Sequence, residues 1–378
     1  MKEFVFKIFR LKQKYVYLLI LFIFFIIAYY HLSSGFHMSS DSNKFSRLAD
    51  NLIRFNFGLY DFFFIIPVFL IALCKILFAD NWQHIFLLLN LILVFFSMMI
   101  FAKTLLIIGV RSFLIFITLP LILISVDVLT WPRYILSDMN YAFLVILITY
   151  FMAKGFFEKK FNYLLIFLTL FLLLITRPAS ISVIFAIVFF ITISKYSFFL
   201  NPRMILLFII TLFISVPLIF GILYYFIKFQ YIEITQLEWL STSLYPIGMV
   251  EVGMIIHDRP ETWLDAPSNY KDVVRIYFLR LVNFFNPYTA AFSKTHNILN
   301  ILQMFLIFIS ISIWSFFGGN SKIQDKTFSL ILILSISVAA FHSFILIDYD
   351  WRYRFPIILP LLMLFPISIE MILKKYKL

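Results

Sequence analysis

The chain has 378 residues, 63% of them hydrophobic and only 13% charged, with 51 phenylalanines and a net charge of +12. A soluble domain carries about 25% charged residues, so a water-soluble globule is excluded. The single cysteine, Cys74, excludes an internal disulfide and any multi-cysteine metal or redox centre. The positive charge reads as lysine and arginine of cytoplasmic loops and lipid headgroups, with no nucleic-acid partner.

Apolar runs fall at 14–32, 60–79, 85–102, 112–129, 139–153, 162–176, 178–194, 204–227, 297–317, 327–347 and 356–373. Most approach the length of about 17 to 25 residues that crosses a bilayer as a helix, and they lack the alternation of a membrane barrel. The first is too long, and lacks the small-residue cleavage site, for a cleavable signal peptide. The expected class is therefore all-α: one polytopic transmembrane domain over 1–378.

The positive-inside rule puts the N-terminal lysines, KGFFEKK at 154–160, Lys195 to Arg203, 318–326 and the C-terminal KKYKL in the cytoplasm. Counting spans back from the C-terminus agrees with counting forward from the first helix only if 60–79 does not cross. Asp61, Pro67 and Lys75 suit an interfacial or re-entrant segment there. The expectation is ten spans, both termini inside, in a plasma (inner) membrane, with outer-face loops at 33–59, 130–138 and 228–296. Eleven spans is the alternative.

Ionisable groups beside spans are costly and mark functional sites. Here they collect on the outer side. The first loop carries DSNKFSRLADNLIRFN, where Phe45, Leu48, Ala49, Leu52 and Ile53 form a helical stripe behind Asp41. The second carries LSDMNYAF with Asp138. Either aspartate also suits a helix N-cap. A third cluster is Arg177-Pro178, and a fourth is DYDWRYRFP, with Arg352 and Arg354 spaced to hold a phosphate bidentately. In the long loop, His257, Asp258 and Trp263 suit substrate recognition; a plain solvated loop is the alternative.

These four clusters, in this order, resemble the integral membrane glycosyltransferases of the C-type (GT-C) fold that use polyprenyl-phosphate sugars, relatives of the protein O-mannosyltransferases and the lipid A aminoarabinose transferases. The likeness covers most of 1–200 and the last forty residues. Ser42 stands where many members carry a second acid, and Asp138 where glutamate is usual. The resemblance implies inverting sugar transfer to a lipid, glycan or protein acceptor at the outer face. In it Asp41 is the general base, Asp138 orients the acceptor or joins a metal site, and Arg177, Arg352 and Arg354 hold the donor phosphate. It requires no nucleotide and leaves a divalent metal open. A secondary transporter or flippase of an anionic or lipid-linked substrate is the rival from another class.

Overall fold

The computed structural model describes residues 11–56, 58–194, 211, 270–288, 292–318, 322–344 and 351–376. Among them regular structure is helical, apart from one isolated parallel bridge between His37 and Tyr134. The helices are α1 (Gln13–Ser34), α2 (Ser40–Ile53), α3 (Ile65–Phe78), α4 (Trp82–Ile107), α5 (Ser112–Thr118), α6 (Val126–Thr130) and α7 (Asp138–Glu158). They continue with α8 (Tyr163–Leu174), α9 (Ser180–Ser194), α10 (Tyr270–Phe284), α11 (Lys294–Phe317), α12 (Lys322–Phe344) and α13 (Phe355–Lys375).

Among the described residues six helical runs are long and apolar enough to cross a membrane, and a seventh counts if the bent pair Ser112–Ile124 and Val126–Arg133 is one span. Helices α8 and α9, expected as spans, are apolar but shorter. The expected span 204–227 lies outside the described residues, Thr211 excepted. The helix α10 falls within the expected outer loop 228–296, so part of that loop is ordered secondary structure.

An inside-out pattern organises the bundle. On α1, Val16, Ile20, Ile23, Ile27 and His31 recur every three or four residues and are buried, while Phe22, Phe25 and Tyr29 are exposed. Lipid can solvate the exposed face as well as protein solvates the buried one, so the helix needs only one packed stripe. Helices α12 and α13 are the most enclosed; α13 packs along α11, α7 and α12. It tolerates Pro360 and Pro366 in its interior, as membrane helices do where neighbours re-satisfy the freed backbone groups.

From Asp61 to Ile107 the chain forms a helical run of 47 residues, interrupted at Ala79 by a positive φ of 41°. As a straight helix it would reach about 70 Å, more than twice a hydrocarbon core of about 30 Å. Helix α3 packs on α2 through a small core of its own: Phe45, Leu48 and Ala49 against Val68, Ile71 and Ala72. Lys75 fastens the pair, its Nζ 2.7 Å from Asp50 Oδ1 and 2.8 Å from Ser46 Oγ.

The bundle has two polar ends. One gathers Arg111, Gln324 and Glu370, with the Arg111 N–H donating to Glu370 Oε2 at 3.1 Å and Gln324 Nε2 donating to the Gly109 carbonyl at 3.5 Å. Gly109 sits at φ +79°, which lets the chain turn out of α4 toward Arg111. Glu370→Ala removes a buried acceptor and is expected to cost about 1–3 kcal/mol. A lower thermal midpoint in detergent would register it, and an unchanged midpoint would show that the contact contributes nothing. The other end holds the candidate site.

Candidate functional site

Five separate segments converge at this second end. The 35–39 stretch lies alongside 133–135: His37 N–H donates to the Arg133 carbonyl at 2.9 Å, and Ile135 N–H to the His37 carbonyl at 3.4 Å. Asn90, buried on α4, steadies the second stretch by donating to the Pro132 carbonyl at 2.9 Å. The start of α3 joins the turn after α8, with Ile66 N–H donating to the Ile175 carbonyl at 3.2 Å. The short 3-10 turn Trp351–Arg354 completes the set.

Both aspartates are released from capping. Ser39 caps α2, its Oγ accepting from Ser42 N–H at 3.2 Å while Ser42 Oγ accepts from Ser39 N–H at 3.0 Å. Asp41 therefore stands inside the first turn, free to reach across. Ser137 occupies the N-cap position of α7, and Asp138 is the first helical residue. The stripe behind Asp41 is buried at Phe45, Leu48 and Ala49 but ends with Ile53 exposed.

The result is a chain of alternating charge. Asp41 Oδ2 accepts from Arg352 Nη1 at 2.8 Å. The same guanidinium lies 3.9 Å, at Nε, from Asp138 Oδ1. Asp138 in turn accepts from Arg177 Nη1 in a short ion pair. Asp138 is only 2% exposed, whereas the Asp41 side chain is 46% exposed and stays open to an incoming molecule. Tyr353 lies beside both cations, its ring centroid 5.2 Å from the Arg177 guanidinium and 5.3 Å from that of Arg352.

Arg354 is placed differently. It is 1% exposed, and its Nη2 donates to Asn300 Oδ1 at 2.7 Å, its Nη1 to the Asn286 carbonyl at 3.3 Å, with Nε 3.7 Å from Asp127 Oδ2. These contacts tie the 3-10 turn to α11 and α6. The two arginines of the turn thus divide the work: Arg352 faces the two aspartates, and Arg354 anchors the backbone that carries it.

Residues not singled out as site members also belong here. His342 near the end of α12 stacks on Tyr353, with centroids 4.3 Å apart and planes 11° from parallel. Asp127, Asn300 and Arg280 are buried at the same end. Their signal was present as polar residues at helical spacing inside apolar runs, such as Asn297, Asn300 and Gln303 on α11. His257, Asp258 and Trp263 lie outside the described residues.

Among the described residues no group of three or more His, Cys, Asp or Glu converges as a metal ion would require. No protein-family model, curated protein or solved structure matches the chain. What fold and site define together is a multi-pass helical membrane protein with an aspartate–arginine network at one end of its bundle, buried at Asp138 and open at Asp41.

Proposed function

We propose that this protein is an inverting glycosyltransferase that moves a sugar from a polyprenyl-phosphate donor to an acceptor hydroxyl at the non-cytoplasmic face. One observation carries the reading: Asp41, Asp138, Arg177 and Arg352, from four segments distant in sequence, form one connected charge network. In this reading the donor phosphate sits on Arg177 and Arg352, and Asp41 takes the acceptor proton. The acceptor oxygen bonds to the anomeric carbon, the carbon–oxygen bond to phosphate breaks, and its electron pair leaves on the lipid phosphate. Guanidiniums fixed where that charge develops lower the barrier without reorganising.

Arg352 has a further part here. While it grips Asp41, it holds the base in an ion pair; an arriving phosphate competes for the guanidinium and frees the carboxylate. Asp138 keeps Arg177 in place and orients the site.

The ten-span arrangement of a C-type fold belongs to the same reading. The lysines Lys154, Lys159, Lys160, Lys374 and Lys375 fall at the loops and helix ends opposite the site, which supports a cytoplasmic position for that end. Both ends of α3 contact site-end segments, Ile175 at one and Asp50 at the other. That supports an interfacial or re-entrant course for 60–79.

A second reading, secondary transport of an anionic or lipid-linked substrate, draws on one observation. The run Ser112–Arg133 is broken by 56°, and buried Asp127 follows the break, as in the discontinuous helices of transporters. Purified protein incubated with labelled polyprenyl-phosphate sugars and a membrane extract separates the two. Label on an acceptor supports transfer; labelled donor moved across a vesicle without transfer supports transport and sinks the enzyme reading.

A further inference from the structure

The far end of α2 carries a residue that neither its backbone nor its packing explains. The helix closes after Arg54, with Phe55 N–H donating to the Leu52 carbonyl at 3.1 Å and Asn56 N–H to the Asn51 carbonyl at 2.9 Å. That pair of bonds puts the residue after the cap in the left-handed region, a position that glycine fills by preference. Phe55 holds it at a φ of 57°, where a Cβ crowds the following carbonyl oxygen. The side chain recovers nothing inside the protein, because Phe55 is 97% exposed. A large aromatic that is both strained and bare in its own fold takes its stabilisation from a phase outside it.

Three cations stand along the same helix. Lys44, Arg47 and Arg54 are exposed and follow one another at three and seven residues, which brings them to one side of α2. The acids of α2 are committed elsewhere, Asp41 to Arg352 and Asp50 to Lys75. Among the described residues none of the three cations has a carboxylate partner. The helix dipole favours a cation at Arg54, but it gives no help to Lys44 or Arg47, which lie more than a turn from that end.

Helix α3, packed on α2, bares Phe69, Leu73 and Ile76 at four- and three-residue spacing, one stripe of the helix. In a chain that spans the membrane such a stripe meets lipid. Apolar side chains beside cations without acid partners make an interfacial anchor: the apolar groups enter the acyl boundary and the cations meet headgroup phosphates.

We infer that α2 and α3 together form a bilayer anchor on the leaflet at the site end of the bundle. Phe55 enters the acyl boundary, and Lys44, Arg47 and Arg54 bind the phosphates of anionic phospholipids. The anchor lies about 20 Å along α2 from Asp41, so it fixes the helix that carries Asp41 without touching the charge network. It serves a transferase and a transporter equally and rests on neither reading.

The test places an environment-sensitive fluorophore on Asn56→Cys in the full chain, with Cys74→Ala removing the single native thiol. The protein is reconstituted in vesicles of phosphatidylcholine with a minor share of phosphatidylglycerol, and the acyl chains of one lipid or the other carry bromine as a quencher. Quenching is expected from both lipids, with phosphatidylglycerol enriched around the label by about fivefold or more over its share of the bilayer. Arg47→Gln combined with Arg54→Gln is expected to bring that enrichment back toward the bulk share. Phe55→Gly relieves the left-handed strain and is expected to move the label into water with no fall in the thermal midpoint.

A wild-type label that sits in water, quenched by neither lipid, overturns the anchor. Quenching by the two lipids in proportion to their shares overturns the anionic headgroup as its partner. A lower midpoint in Phe55→Gly, with the label still quenched, shows that Phe55 packs within the protein and overturns its place in the bilayer.

Discussion

Asp41→Asn is expected to lower sugar transfer by about 10²–10⁴-fold, the usual contribution of a positioned general base, while leaving the protein folded. Asparagine keeps the shape of aspartate and an oxygen that accepts from Arg352, so the 2.8 Å contact has a neutral counterpart. Its side chain is 46% exposed, and neutralising a group so open to solvent costs little stability. The variant therefore separates chemistry from folding, which few positions in this network can do. Transfer at the wild-type rate, with an unchanged thermal midpoint, would remove Asp41 from the mechanism. Loss of transfer with retained binding of polyprenyl phosphate would place the defect in proton removal rather than donor capture.

Asp138→Ala is the variant with the largest expected cost in stability, about 3–5 kcal/mol. Asp138 is 2% exposed and sits against both Arg177 and Arg352. Its removal leaves a buried guanidinium facing like charge in a region that water does not readily reach. A fall in the thermal midpoint in detergent, with loss of folded protein from membranes, would register it. The control is the double variant Asp138→Ala with Arg177→Met, which removes both charges of the short pair. Recovery of about 1–3 kcal/mol relative to the sum of the single variants would measure their coupling. Additive losses would show that the pair contributes no mutual stabilisation, and that Asp138 is held by its other neighbours.

The two predictions divide a network in which every member touches the next. Asp41 lies at its open end and Asp138 at its closed end, with Arg352 between them. Substitution of Arg352 would disturb both ends together, which makes it a poorer probe than either aspartate. Arg354, one residue on from Tyr353, would act through the backbone of the turn it anchors.

Much of this was legible in the sequence because its causes are local. An uninterrupted apolar run needs its backbone bonds satisfied within itself when it sits in lipid, so length and composition alone specify a helix and a helical membrane protein. The gathering of Asp41, Asp138, Arg177 and Arg352 at one end also follows from chain order, since alternate helix ends fall on the same side of a bundle. Which atoms then meet depends on how the helices are placed sideways and rotated, and that is set by packing between segments far apart in sequence. Only the tertiary structure therefore decided that Ser39 rather than Asp41 caps its helix, that Arg352 reaches Asp41 across 311 residues, and that Arg354 turns inward to Asn300 and Asp127. The stack of Phe284, His342 and Tyr353 is of the same kind. Each of its rings reads in its own segment as an ordinary interfacial residue, and only the packing of α10 and the 3-10 turn against α12 makes them one wall of a site.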